Sequence, residues 1–230
     1  MSTPPFIAMP DGVALCQPPD WPVPTLLAEP AQSHGTALLV PGFTGSKEDF
    51  LAVLAPLAEL GWRTAAMDLP GQGGCPGLGP RGSHTLAALA RSVRAAVDRL
   101  DDGRGVHLVG HSMGGLITRE VVLSDPTPLA SWTLLCSGPG PIPTSTWPSL
   151  HALSQALTVL PMPAIWQQKE AADRAAGWNP PSAEVAAFVQ RRFIANDPDA
   201  LADFATILMT APDRTEPAAA ALTAAGLPCA

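Results

Sequence analysis

A serine between two glycines is the stretch of this sequence with the clearest chemical meaning. Residues 110–114 are Gly-His-Ser-Met-Gly and fit the pattern G-x-S-x-G. An apolar run at 106–109 precedes the motif and an amphipathic run follows it, which predicts that Ser112 lies on a sharp turn between a strand and a helix. There its hydroxyl would project beyond the sheet at the positive end of the helix, a position suited to nucleophilic attack on a carbonyl. The simpler alternative is a serine that only caps the helix.

Nucleophilic attack by Ser112 also needs small residues on both sides of the serine and two hydrogen-bond donors for the oxyanion that forms. Gly110 and Gly114 are expected because a Cβ at either position would strike the neighbouring strand or helix. The oxyanion of a tetrahedral intermediate needs N–H groups aimed at it. Met113, directly after the nucleophile, offers one backbone N–H. The loop at 40–46, Val-Pro-Gly-Phe-Thr-Gly-Ser, offers the other at Phe43, unless it is an ordinary strand-to-helix turn.

A sheet must hold these residues in place, and apolar runs alternate with helical patterns along the chain. The predicted strands are 36–41, 62–70, 105–110 and 129–138. One helix is predicted at 47–60, with Ser46 and Asp49 as its capping box and Gly61 at its end. A second is predicted at 84–100, where apolar residues recur at helical spacing. This alternation predicts βαβ units and a mostly parallel sheet.

The two ends of the chain differ from this central pattern. Asp11-Gly12 predicts a hairpin turn between extended runs within 6–16, and the proline-rich residues 17–30 are predicted to contain no central strand. Prolines interrupt the chain from residue 139, and helical patterns then continue to about residue 210. We therefore predict a core at 1–139, a helical insertion at 140–215, and a returning core segment at 216–230.

Composition limits the classes of function. With 47% apolar and 14% charged residues in 230, the chain is typical of a globular protein. Its net charge of −7, without a basic block, argues against nucleic acid and anionic membranes as partners. No apolar run is long enough for a membrane span, and no signal peptide pattern is visible. Four separated cysteines predict buried free thiols and a cytoplasmic location, with a structural disulfide as the alternative. No metal or organic cofactor is expected.

Three stretches make the chain resemble the α/β-hydrolase superfamily. They are Leu-Leu-Val-Pro-Gly-Phe-Thr-Gly-Ser at 38–46, Met-Asp-Leu-Pro-Gly-Gln-Gly at 67–73 and Leu-Val-Gly-His-Ser-Met-Gly-Gly at 108–115. The resemblance covers about residues 10–230. It implies an eight-stranded, mostly parallel α/β sheet, Ser112 as nucleophile, the N–H groups of Phe43 and Met113 as oxyanion hole, and 140–215 as a cap. Pro41 stands where many relatives have histidine, which leaves the backbone donor available. Asp68 would anchor its own loop.

The resemblance also implies a triad in which an acid and a histidine follow the serine, after the seventh and eighth strands. Ala-Gly-Leu-Pro-Cys-Ala at 225–230 looks like the start of the seventh strand. Neither the triad acid nor the triad histidine is therefore expected in this chain. Three explanations remain open: a shortened form of a complete serine hydrolase, an inactive relative, or a site that a second chain completes.

None of the five histidines is a convincing replacement for the missing base. His34 begins a strand at the opposite edge of the sheet, and His107 lies near the start of the strand that leads to the nucleophile. His111 is adjacent to the nucleophile but is expected to point to the other side and support the turn. His84 lies in a loop at the correct end of the sheet, and His151 could line the pocket from the cap.

The sequence thus predicts hydrolysis of a carboxylic ester through an acyl-enzyme on Ser112. Because little charge lies near the loops and the cap is apolar, the expected substrate is a small, uncharged ester. The same fold carries other reactions, so this substrate rests on fold-level analogy. The alternative is a catalytically inactive protein, lacking the general base, that binds a small molecule. The sequence predicts no oligomeric state.

Overall fold

The computed structural model describes residues 3–228, and within them six strands form one sheet. The strands are β1 (Val13–Cys16), β2 (Thr25–Ala28), β3 (Gly35–Val40), β4 (Trp62–Met67), β5 (Val106–His111) and β6 (Leu129–Leu135). The helices are α1 (Leu51–Glu59), α2 (Leu86–Leu100), α3 (Met113–Ser124), α4 (Trp147–Val159), α5 (Met162–Ala175), α6 (Ala183–Ile194), α7 (Pro198–Thr210) and α8 (Thr215–Ala224), with 3₁₀ turns at Lys47–Phe50 and Thr144–Thr146. From β3 to β6 strands and helices alternate, as the sequence predicts.

The order of the strands brings two loops to one edge of the sheet. The order is β1-β2-β4-β3-β5-β6, in which β4, β3, β5 and β6 are parallel and β2 is antiparallel to both of its neighbours. Val40 of β3 pairs with Gly110 of β5, so these two strands end side by side. The loop after β3 and the turn after β5 therefore leave the sheet together, at the carboxyl edge where parallel sheets bind ligands. The predicted mostly parallel sheet is confirmed.

The predictions for the first 30 residues were wrong in two respects. No strand precedes Asp11 within residues 3–10, and β1 pairs with β2 instead of forming a hairpin around Gly12. The proline-rich segment does contain an internal strand, since β2 pairs with β1 on one side and β4 on the other. Its four residues lie between Pro24 and Pro30, so no proline has to donate within the ladder.

Helices cover both faces of the sheet. Side chains of α2 and α3 pack with Leu38, Val40 and Leu108, whereas α1 packs with Leu39 and Ala66 from the opposite face. Each fully buried aliphatic side chain contributes about 1.5–3 kcal/mol to folding. On α2 the predicted apolar stripe is confirmed, and its fully buried members are Leu89, Val93, Val97 and Leu100.

After β6 the described chain is helical. Helices α4 to α7 share an apolar cluster around Trp166 and Phe193, and α7 joins the main core through Phe204. Helix α8 packs on α3. The division into core, insertion and returning segment stays a prediction. Residues 225–228 follow α8 without forming a strand, and residues 229–230, where the expected strand continues, lie outside the described residues.

Two further observations concern the whole described range. No helix between residues 3 and 228 combines the length and apolar character needed to cross a membrane. Cys16, Cys75 and Cys136 carry free thiols, and Cys229 lies outside this range. The predicted burial is confirmed for Cys75 but was wrong for Cys136, which is exposed, and for Cys16, which is half-buried.

Candidate active site

Ser112 connects β5 directly to α3. Its φ of 53° and ψ of −120° are unusual for a residue with a Cβ and cost about 1–3 kcal/mol. Two backbone hydrogen bonds hold the turn at 2.9 Å each: the N–H of Ser112 donates to the C=O of Leu135, and the C=O of Ser112 accepts from the N–H of Gly115. Strand, turn and helix follow one another without a linker, as the motif predicts.

Gly110 and Gly114 occupy positions that have no space for a side chain. A Cβ on Gly110 would lie 2.4 Å from Oγ1 of Thr118. A Cβ on Gly114 would lie 2.4 Å from the carbonyl oxygen of Val40 and 2.6 Å from that of Pro41. The turn therefore presses the start of α3 against the end of β3, and glycine permits this approach.

The loop after β3 lies against the nucleophile. A Cβ on Gly42 would lie 2.9 Å from Cβ of Ser112. Met113 is the first residue of α3, so its N–H has no acceptor within the helix. Phe43 and Ser112 line one cavity of about 550 Å³. The two expected donors and the hydroxyl thus belong to one region, and their roles stay a prediction.

The cavity has both polar and apolar walls and carries one ammonium group from the helical part of the chain. Its polar lining comes from the loop and the turn, and Lys169 of α5 contributes its charge. Nζ of Lys169 lies 2.6 Å from the carboxylate of Asp173, one helical turn away, which balances that charge. The apolar lining residues of the helical part are Ile142, Leu153, Phe193 and Leu208.

Asp68 anchors its loop through Lys47, as the resemblance implies. Its carboxylate accepts from the backbone N–H of Lys47 at 2.9 Å and from Nζ of Lys47 at 2.7 Å. Burial raises the pKa of Asp68 to about 6, an effect that the Lys47 ammonium partly opposes. Both carboxylate oxygens of Asp68 are therefore engaged with Lys47.

Two buried polar side chains that were not predicted as site residues connect the segments around the turn at Ser112. Gln72 donates from Nε2 to the C=O of Gly42 at 2.8 Å. Arg192 of α6 contacts the carboxylate of Asp49 at 2.5 Å and Oγ of Ser46 at 3.2 Å, which connects the helical part to the start of the 3₁₀ turn. Glutamine and arginine are usually exposed, so their presence in the sequence gave no signal of this role.

His84 is held by partners away from the nucleophile. Its Nε2 accepts from the N–H of Leu78 at 2.9 Å, so Nδ1 carries the proton that it shares with Asp203 at 3.0 Å. Both ring nitrogens are thus occupied. His84 and Asp203 line a different cavity, of about 260 Å³, from the one that Ser112 lines. His84 is therefore engaged with partners other than Ser112.

The remaining histidines also have identifiable environments. His107 lies on β5 and shares a hydrogen bond of 2.7 Å with Oγ of Ser131, while His34 lies at the other end of β3 and His151 is exposed on α4. His111 lines the cavity of Ser112 and also a second cavity on the α1 side, with Leu39 and Phe50. Its expected role in supporting the turn stays a prediction. Burial lowers the pKa of the His111 ring, which a nearby carboxylate partly opposes.

No general base contacts the nucleophile within the described residues. Between residues 3 and 228, Oγ of Ser112 makes no hydrogen bond to a histidine ring or to a carboxylate. The same range contains no group of three or more His, Cys, Asp or Glu side chains that could hold a metal ion. Within residues 3–228, the predicted nucleophile and the candidate oxyanion donors therefore have no partner that takes the proton.

Comparison with known proteins decides the family. Residues 37–177, more than half of the chain, match the family defined by the α/β-hydrolase fold. The chain belongs to the α/β-hydrolase family. In this α/β-hydrolase the strand order places the turn at Ser112 beside the loop after β3, and residues of both line the cavity.

Several relatives in this family are named as hydrolases. A 2-hydroxy-6-oxononadienedioate/2-hydroxy-6-oxononatrienedioate hydrolase of Escherichia coli is 32% identical over 132 residues, which are 55% of this chain and 44% of that protein. A Variovorax paradoxus protein named for carbamate hydrolysis is 36% identical over 107 residues, 44% of this chain and 40% of that protein. The match spans less than half the length of these relatives. A carboxylesterase structure from Nitrososphaera gargenis shares the fold, with a TM-score of 0.68 at 18% identity over 94% of this chain and 78% of that one.

Proposed function

We propose that this α/β-hydrolase chain carries the nucleophile and oxyanion site of a serine esterase. The observation that carries the proposal is the strained backbone of Ser112 at the start of α3, beside the Gly42-Phe43 loop and at the wall of a cavity. Strained residues of this kind cluster at functional sites, because surrounding packing must hold them in place. A serine that only capped a helix would not need a left-handed backbone.

In the proposed reaction, Oγ of Ser112 forms a bond to the ester carbonyl carbon as its proton passes to a general base. The N–H groups of Phe43 and Met113 would stabilise the resulting oxyanion, supported by the positive end of α3. The alcohol then leaves with a proton, and an acyl-enzyme remains. A water oxygen attacks the acyl carbon, Oγ regains a proton and the carboxylic acid is released. Within residues 3–228 no side chain contacts Ser112 as this base.

Cavity size and charge support a small or medium uncharged carboxylic ester as the substrate. A volume of about 550 Å³ is within the range of small-molecule sites. Asp173 balances the charge of Lys169, and the other lining residues of the helical part are apolar. The carboxylesterase of similar fold and the relative named for carbamate hydrolysis are consistent with attack on a carbonyl group. The reaction as proposed uses no cofactor.

The second candidate is a protein that binds a small molecule without turning it over. The absence of a base beside Ser112 in the described residues favours it. In that case the cavity would retain affinity for an uncharged ester, while the hydroxyl would be no more reactive than that of an ordinary serine.

Covalent labelling distinguishes the two candidates. The folded protein would be treated with an uncharged alkyl fluorophosphonate and its intact mass recorded over time. An activated serine predicts a single adduct that is lost in Ser112→Ala and kept in Ser149→Ala, a matched change on the exposed surface of α4. A folded protein that stays unlabelled contradicts the esterase proposal and supports the binding protein.

A further inference from the structure

Gln72 is a fully buried glutamine whose amide is fixed at both ends. Its Nε2 donates to the carbonyl oxygen of Gly42 at 2.8 Å, and its Oε1 accepts from the backbone N–H of Leu69 at 3.3 Å. An amide with a donor and an acceptor both engaged has one orientation, because a flip would face donor with donor. Gln72 therefore offers Gly42 a donor whose direction is set by its own loop.

The carbonyl that Gln72 holds belongs to the peptide unit that also contains the N–H of Phe43. In a planar trans peptide the C=O and the following N–H point in opposite directions. Fixing the oxygen of Gly42 towards Gln72 thus fixes the N–H of Phe43 away from it. Phe43 lines the cavity of Ser112, whereas Gln72 lies in the core.

A second bond supports the same peptide but does not replace Gln72. The N–H of Gly45 donates to the oxygen of Gly42 at 3.1 Å within the loop itself. Because this bond lies inside one short turn, it can move with the turn. Gln72 instead connects the turn to the loop after β4, which Lys47 and Asp68 hold to the core.

We propose that Gln72 is a positioning residue that aims the N–H of Phe43 at the oxyanion formed on Ser112. The inference rests on the proposed function. Without the Gln72 donor, the Gly42-Phe43 peptide can rotate about bonds that Gly42 leaves free, and a rotated peptide presents a carbonyl oxygen to the developing negative charge. Loss of one oxyanion donor lowers reaction rates by about 100- to 1,000-fold. Since the Gly45 bond remains, we expect about 10- to 100-fold here.

The test compares Gln72→Met with Thr64→Val. Methionine has similar length but offers no N–H donor. Thr64 donates one buried hydrogen bond of 3.0 Å to the C=O of Leu54, away from the cavity, so its loss controls for general destabilisation. The maximal rate of Ser112 labelling by the uncharged fluorophosphonate and the probe concentration at half-maximal rate are measured for each.

We expect Gln72→Met to lower the maximal rate about 10- to 100-fold at an unchanged half-maximal concentration, because an oxyanion donor acts in the transition state. Thr64→Val should stay within about 3-fold of the wild type. A labelled wild type with an equally fast Gln72→Met overturns this inference alone. An unlabelled wild type overturns the proposed function and this inference with it.

A structure of the wild-type phosphonyl adduct tests the geometry without any variant, should Gln72→Met fail to fold. We expect the phosphoryl oxygen on Ser112 to accept from the N–H of Phe43 while the oxygen of Gly42 accepts from Gln72. A Gly42-Phe43 peptide turned the other way in that adduct overturns the inference.

Discussion

Replacing Gly114 with alanine tests the close contact on which the turn at Ser112 depends. The new Cβ would lie 2.4 Å from the carbonyl oxygen of Val40 and 2.6 Å from that of Pro41. Both contacts are roughly 1 Å shorter than an ordinary non-bonded contact, and both involve backbone that no side-chain rotation can relieve. The end of β3 and the start of α3 must therefore move apart by about that distance.

Two opposing effects set the expected loss of stability. Gly114 lies in the first turn of α3, so helix propensity alone predicts that alanine stabilises the protein by up to about 1 kcal/mol. Overpacking against rigid backbone costs about 1–3 kcal/mol, and occasionally more. Since both clashes involve backbone, we expect overpacking to win, with a net fall of about 1–2 kcal/mol in the free energy of unfolding.

Urea unfolding and Ser112 labelling measure the two consequences of this change. Because the loop with Phe43 follows β3 and Met113 begins α3, a shift of about 1 Å separates the two expected donors and should slow labelling by up to about 100-fold. Gly138→Ala is the matched control, since a Cβ there meets no atom within 4 Å. If Gly114→Ala and Gly138→Ala have equal stabilities and equal labelling rates, the steric argument for the turn is refuted.

Three other predictions follow from buried polar groups and the missing base. Burial raises the pKa of Asp68 to about 6, above the ordinary value of a carboxyl group, so the folded protein takes up a proton there before the unfolded chain does. As the pH falls from about 7 to about 4.5, the wild type should therefore gain about 1–3 kcal/mol relative to Asp68→Asn in urea unfolding, and a constant difference would contradict this sign. Arg119 of α3 donates to the C=O groups of Pro139 and Pro212 and to Oγ1 of Thr215. Pro139 precedes α4, and the other two residues follow α7, so Arg119 connects the two ends of the segment that contains helices α4 to α7. Arg119→Met should lower the free energy of unfolding by about 2–4 kcal/mol and speed proteolysis near residue 140, and unchanged proteolysis would count against this tie. Added imidazole should accelerate acylation of Ser112 by p-nitrophenyl acetate, measured as a mass increase that Ser112→Ala lacks, because it supplies a proton acceptor at the cavity; equal acylation with and without imidazole would contradict this prediction.

Much of the fold could be predicted because its signals are local. Parallel strands β3 to β6 are short apolar runs, and α2 shows its buried stripe at helical spacing, so neighbouring residues carry the information. The short strand β2 was missed because no local signal marks it. Its place in the sheet depends on pairing with β1 and β4, which local proline content does not reveal.

The sequence by itself determined the position of Ser112 on its turn, because G-x-S-x-G between an apolar strand and a helix constrains backbone and side-chain space within a few residues. Only the tertiary structure decided which distant polar groups pair with each other or enter the cavity. Gln72 reaches a loop 30 residues away, Lys169 enters the cavity from α5, and His84 is bound to Asp203, 119 positions along the chain. Such pairings depend on how distant segments pack, and a hydrogen bond between distant residues has no periodic signature in the sequence.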